Sequence, residues 1–194
     1  KKRLVENFQF FISSIAGHVS VHGGLIILAI FVNNNVLGKF ALAQKIALLM
    51  RMVPVFFTQA ILQKATIVFE KDKIEFNSYV KRIFIIGLSI TFAMGLIAII
   101  LSKWVIFLLA GSYVIYSETI LKILAFIPFL SMLNFNNMIK ILVDEKKYLL
   151  TKATWVTAIV MLILASIGSY YYGGYGLSIA LVLTEIVSFI VHSV

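Results

Sequence analysis

The chain has 194 residues, 61% hydrophobic and 13% charged, with a formal net charge of +9 and no cysteine. Its mean hydropathy of +1.03 excludes a soluble globular domain, and its continuous rather than alternating apolar runs exclude a β-barrel. What remains is an all-α integral membrane protein, in which surplus Lys and Arg mark cytoplasmic loops rather than nucleic-acid binding, and in which disulfide and thiol chemistry play no part.

In chain order, the pattern predicts six transmembrane spans, at about residues 8–32, 38–66, 79–101, 117–143, 148–171 and 177–194. Ahead of them stands a basic head, Lys1-Lys2-Arg3, with no initiating Met and no signal-peptide cleavage site after it; the chain reads as a piece of a longer one. The first span carries Ser14, His18 and His22 on one stripe. Asn33-Asn34-Asn35 and Gly38 then read as a tight turn. The second span is as apolar as its neighbours yet contains Lys45 and Arg51, and Pro54 is expected to kink it. Glu70 to Asn77 reads as a solvated loop or short surface helix. The third span is almost wholly apolar and is placed on the lipid-facing outside. The connection from Lys103 to Tyr116 holds a short apolar piece and then Ala110-Gly111-Ser112-Tyr113. The fourth span contains Pro128. A charged turn, Asp144 to Lys147, leads into the fifth, and Gly173-Gly174-Tyr175-Gly176 turns the chain into the sixth.

With both termini cytoplasmic, twelve cations fall on the inside, Lys39 and Lys103 on the outside, and Lys45, Arg51 and Lys122 within the membrane. That asymmetry sets the orientation. Trp104, Tyr113, Tyr116, Tyr170, Tyr171, Tyr172 and Tyr175 fall at the outer ends, as an interfacial aromatic belt does. The whole is read as one six-helix bundle.

On a helical wheel the second span divides. Gln44, Lys45, Arg51, Thr58, Gln59, Gln63 and Thr66 lie within roughly 140°, and Leu42, Ile46, Leu49, Met50, Val53, Phe56, Phe57 and Ile61 take the other side. An insertion penalty of about 2.5–3.5 kcal/mol per central charge requires the cations to face water, a partner or a ligand, so this face is read as the wall of a cavity. The plainer alternative is that Lys45, near the span's start, and the deeper Arg51 snorkel. The fourth span sets Glu118, Lys122, Asn136 and Lys140 on one face; Glu118 and Lys122, four apart, can pair. The sixth sets Ser178, Glu185, Ser188 and His192 within roughly 80°. Glu185 is the acid near mid-membrane, able to pair with Arg51 or Lys45 or to carry a proton. His18 and His22 are candidates for ion coupling or for ordinary helix packing; no third ligand accompanies them, so no metal is assigned. No G-x-S-x-G, P-loop, H-E-x-x-H or catalytic acid pair is present, so neither an enzyme activity nor a cofactor is assigned. With Glu118 neutralised by Lys122, the wet faces are net cationic and suit a phosphate or pyrophosphate.

Three stretches give the chain a resemblance to a known family: VLGKFALAQKI at Val36–Ile46, LLAGSYVIYSETILKILA at Leu108–Ala125, and YYGGYGLSIALVLTE at Tyr171–Glu185. In this order and spacing they resemble the carboxy-terminal half of polysaccharide or O-antigen flippases of the Wzx type, in the superfamily that holds MATE multidrug exporters and lipid II flippases. The resemblance implies one six-helix lobe facing a second, either a missing amino-terminal bundle or another copy. It implies a bacterial or archaeal inner membrane, and as cargo an undecaprenyl-pyrophosphate-linked oligosaccharide moved outward by alternating access. No residue role is carried over from the family; from the charge and wheel argument the cavity residues are Lys45, Arg51, Gln44, Gln59, Lys122 and Asn136, with Glu185, His18 and His22 as ion-coupling candidates. The alternatives are a MATE-like ion-coupled drug antiporter, a scaffold whose charges only join helices, and an intramembrane enzyme acting on lipid phosphates through His18 or His22.

Overall fold

The computed structural model describes residues 2–144 and 147–193, and every regular element among them is helical. They are α1 (Lys2–Phe31), α2 (Asn34–Lys71), α3 (Lys73–Ala110), α4 (Ile115–Leu124), α5 (Ile127–Leu133), α6 (Phe135–Val143) and α7 (Lys147–His192). Four stretches are long and apolar enough to cross a membrane: Asn34–Lys71, Lys73–Ala110, Ile115–Val143 and Tyr148–His192; α1 adds the shorter Ile15–Phe31. The protein is a helical bundle of membrane character. Lys1, Glu145, Lys146 and Val194, and with them part of the expected charged turn, lie outside the described residues, as does the side chain of Ser14.

The helices start and stop where short polar residues and glycine dictate, and several expected boundaries move. The predicted turn from Asn33 to Gly38 shrinks to a reversal at Val32 and Asn33. The Asn33 side chain accepts the Val36 N–H at 3.0 Å, which supplies an N-cap and lets α2 begin at Asn34 with Gly38 inside it. The predicted loop at 70–77 reduces to Asp72. Its backbone N–H closes α2 on the Val68 carbonyl, and its carboxylate accepts from Ile74 N–H at 2.7 Å to open α3. The apolar piece after Lys103 is not a connection, because α3 runs through it to Ala110. Gly111 ends that helix in the left-handed region, at φ 67°. The second and third spans are therefore longer than expected.

The fourth span is three pieces rather than one helix. Pro128 has no N–H to offer the Leu124 carbonyl, and its ring would clash there, so α4 ends at Leu124 and α5 restarts at Ile127. A second break at Asn134 separates α5 from α6. Pro54, by contrast, is carried inside α2, with the Thr58 hydroxyl donating to its carbonyl at 3.0 Å.

Helix α7 doubles back. Gly173 takes φ 57°, ψ −134°, open to glycine and strained for other residues. The arms 147–172 and 174–192 then meet so closely that a Cβ on Gly168 would lie 2.6 Å from the Gly176 carbonyl oxygen. Helix α1 lies along both arms, Gly23 against Met161 and Gly24 against Leu177. Helix α2 packs on α3, and the broken rod α4–α6 touches both groups, whereas α2 and α7 barely meet. Two apolar clusters fill the bundle. One gathers Leu28, Phe40, Ile120, Leu124, Met161 and Leu177; the other gathers Ile61, Phe76, Val80, Phe135 and Ile139. Along α2 the first ends at Ala47 and the second begins at Ile61, so Arg51 sits between them, where α2 and α7 stand apart.

Candidate functional site

Seven residues make two helical turns, so Gln44, Arg51 and Thr58 form one line on α2. Gln44 is buried and its amide donates to the Val21 carbonyl of α1 at 3.4 Å. Thr58 turns its hydroxyl back to its own helix. Arg51 reaches across the gap: its Nη2 lies 2.6 Å from Oε1 of Glu185 in the second arm of α7. The Glu185 side chain is 6% exposed and that of Arg51 30%. A lone carboxylate at that depth would be costly, and the guanidinium offsets the cost while keeping an edge in the open. Because α2 and α7 share little packing, the ion pair is a direct link between them, beside the contact of Phe40 with Gly174.

Hollows lie on both sides of the pair. A small one of about 30 Å³ is walled by Ser20, Gln44, Thr157 and Thr184, room for a water or two. A wider groove of about 320 Å³ runs along Arg51, Thr58, Gln59, Asn134, Ser188 and His192, with Leu62 and Met138 among its apolar walls. Asn134 donates through Nδ2 to Ser188 Oγ at 3.3 Å, and its buried Oδ1 has no protein partner among the described residues. Ser188 Oγ lies 3.3 Å from His192 Nδ1. That nitrogen is also 2.7 Å from the Ser188 carbonyl, which only accepts, so Nδ1 carries the hydrogen. The groove thus offers a guanidinium edge, an unmet amide oxygen and a hydroxyl, the features needed to hold a polar group inside an apolar bundle.

Of the residues singled out from sequence, Arg51, Gln44, Gln59 and Glu185 come together here. Lys45 does not: it is exposed and lies about 120° around α2 from Arg51. Lys122 is bonded to Glu118 at 2.7 Å on α4, away from the groove. Asn136 faces α3 instead, lining a separate hollow with Asn77 and Lys81. His18 and His22 are exposed on α1 with rings 6.2 Å apart, and they line neither hollow beside the ion pair. The expectation of a net cationic cavity is corrected accordingly, since Arg51 is answered by Glu185. Asn134 was missed. A continuous fourth helix gives Asn136 the better phase, and the breaks at Ala125–Phe126 and Asn134 reset that phase. The signals were Pro128 and the asparagine-rich run around Asn134.

Comparison with protein-family models, with curated proteins and with solved structures returns no match.

Proposed function

We propose that the chain is one lobe of a membrane flippase that moves an oligosaccharide on an undecaprenyl-pyrophosphate carrier from the cytoplasmic to the outer leaflet by alternating access. The two arms of α7 count as two passes and the rod as one, so the lobe has six passes with both termini cytoplasmic, and a second lobe faces its groove. The observation that carries the reading is the Arg51–Glu185 pair, set across a gap between poorly packed helices and opening on a polar groove. The resemblance in sequence supplies the cargo class.

Chemically, the guanidinium is a shared resource. It binds a carboxylate or a phosphate through two parallel N–H donors, and not both with the same edge. A pyrophosphate entering the groove competes with Glu185 for Arg51. The carboxylate then needs a replacement positive charge, a proton or a metal cation, before the pair can open. Substrate and coupling ion are thereby exchanged at one point between α2 and α7.

The test is glycan export in cells whose surface polysaccharide depends on this chain. Arg51→Ala abolishes export while the protein still inserts; full export by that variant removes the reading. The tight geometry of the pair also favours a second reading, a scaffold in which the charges only join helices. The swap R51E/E185R separates the two: as a transporter it folds and fails to export, as a scaffold it behaves as the parent does.

A further inference from the structure

Beyond the ion pair, His192 lines a second and larger hollow, of about 600 Å³, between α6 and the two ends of α7. Its polar lining is basic on balance: Lys140, Lys152 and His192 against the single carboxylate of Asp144, with the Asn137 amide and Ser193. The remaining walls are apolar, Leu149, Val156 and Ile190 among them. Neither lysine is engaged in an ion pair among the described residues. Because the Nδ1 hydrogen of His192 is committed to the Ser188 carbonyl, Nε2 is the nitrogen left for a ligand. The hollow lies at the end of the bundle where α2 stops, α3 starts and both arms of α7 terminate. Lys64, Lys71, Lys73, Lys81 and Arg82 lie at that same end, which is the headgroup level of a bilayer-spanning bundle.

We propose that this hollow is a seat for the phosphate of an anionic amphiphile. The two ammonium groups and the Asn137 amide hold phosphoryl oxygens, the His192 Nε2 lone pair accepts from a phosphate O–H, and the Leu149–Val156–Ile190 wall takes the first part of the hydrocarbon chain. Basic hollows between membrane helices at the cytoplasmic level are suited to lipid phosphates on general electrostatic grounds. The mixed lining sets a lipid phosphate above a free one, because a free anion gains nothing from the apolar wall. The inference goes beyond the transport reading and does not need it. If transport holds, this is where the carrier pyrophosphate first docks, since His192 also lines the groove that leads to Arg51.

The experiment uses the full chain in phosphatidylcholine nanodiscs, titrated with farnesyl pyrophosphate and separately with inorganic pyrophosphate. The lipid pyrophosphate binds, and inorganic pyrophosphate binds more weakly. The double variant K140Q/K152Q weakens lipid binding roughly tenfold or more, and K64Q/K71Q, with the same loss of charge elsewhere at the same end, leaves it unchanged. Equal weakening by the two doubles, or no binding, overturns the seat. Binding of inorganic pyrophosphate as tight as the lipid overturns the role of the apolar wall. Should the double variant misfold, acylation footprinting of the unmodified chain decides: farnesyl pyrophosphate protects Lys140 and Lys152 relative to Lys64 and Lys71, and equal labelling of all four sinks the proposal. Full export by Arg51→Ala, with binding and footprint intact, removes the transport reading alone.

Discussion

Arg51 and Glu185 are unequal partners, and the inequality is measurable. Removing one member of a buried pair costs about 3–5 kcal/mol because the other is stranded. Stranding Glu185, at 6% exposure, leaves a nearly buried charge with only the small hollow and the groove wall beside it; stranding Arg51, at 30%, leaves a long side chain already at the edge of a groove. Arg51→Ala therefore lowers the melting temperature in detergent by more than Glu185→Gln does, with the latter loss at or below the bottom of that range. The double variant R51A/E185Q recovers part of the loss, because the neutral amide that replaces the carboxylate strands no charge. Equal losses from the two single changes would show that the groove does not set the balance. Sequence alone brought Arg51 and Glu185 forward, since a charge in an apolar helix must find a partner. It could not choose between Lys45 and Arg51 as that partner. The choice rests on which side of α2 turns toward α7, a matter of packing.

At the scale of elements, the hairpin in α7 depends on backbone lying against backbone. A Cβ placed on Gly176 would run into the Gly168 carbonyl oxygen, and a backbone atom has no rotamer to move away. Gly176→Ala therefore spreads the arms and costs at least the about 1–3 kcal/mol typical of overpacking. Gly38 gives the opposite sign. It sits inside α2 with open space where a Cβ would go, so Gly38→Ala stabilises by about 0.5–1 kcal/mol through backbone entropy alone. Paired thermal unfolding curves check both, and a destabilising Gly38→Ala would mean that α2 does not begin where Asn33 caps it. These two glycines also mark what was legible. Both sat in predicted turns, because glycine and asparagine are the strongest local punctuation available. The real turns lie at Val32–Asn33 and at Gly173, since capping needs one correctly placed side chain and reversal needs one positive φ. Span lengths were underestimated for a related reason: hydropathy falls where a helix leaves the lipid, while its hydrogen-bonded turns continue to the next cap. The fourth span was legible in its bounds, 117–143 against Ile115–Val143, but not in its breaks. Pro128 and Pro54 look alike in sequence, and only packing decides that one breaks its helix and the other is carried within it.

At the scale of the whole molecule, the question is which way the bundle faces. Helices of 38 residues span about 57 Å at 1.5 Å per residue, nearly twice the hydrocarbon thickness of about 30 Å, so both ends of α2 and α3 stand clear of the lipid. One end carries Lys64, Lys71, Lys73, Lys81 and Arg82. The other carries Lys39 and Lys103, with ring contacts between Tyr116 and Tyr175 at 4.8 Å and between Phe107 and Tyr113 at 4.6 Å. In the proposed orientation, with cations held back from translocation, the first end is the cytoplasmic one. The chain has no cysteine, so single introduced thiols report without a background. Ser112→Cys, exposed beside the left-handed Gly111 cap of α3, reacts with an impermeant maleimide in intact cells. Glu70→Cys, exposed in the last turn of α2, reacts only after permeabilisation. The reverse pattern would place the basic hollow of Lys140 and Lys152 on the outer face, where no cytoplasmic lipid phosphate reaches it. Labelling of both thiols from one side would mean that α3 does not cross the membrane at all. Then the long apolar faces of α3, with Ile97, Ile100 and Leu108 exposed along them, would need some covering other than lipid.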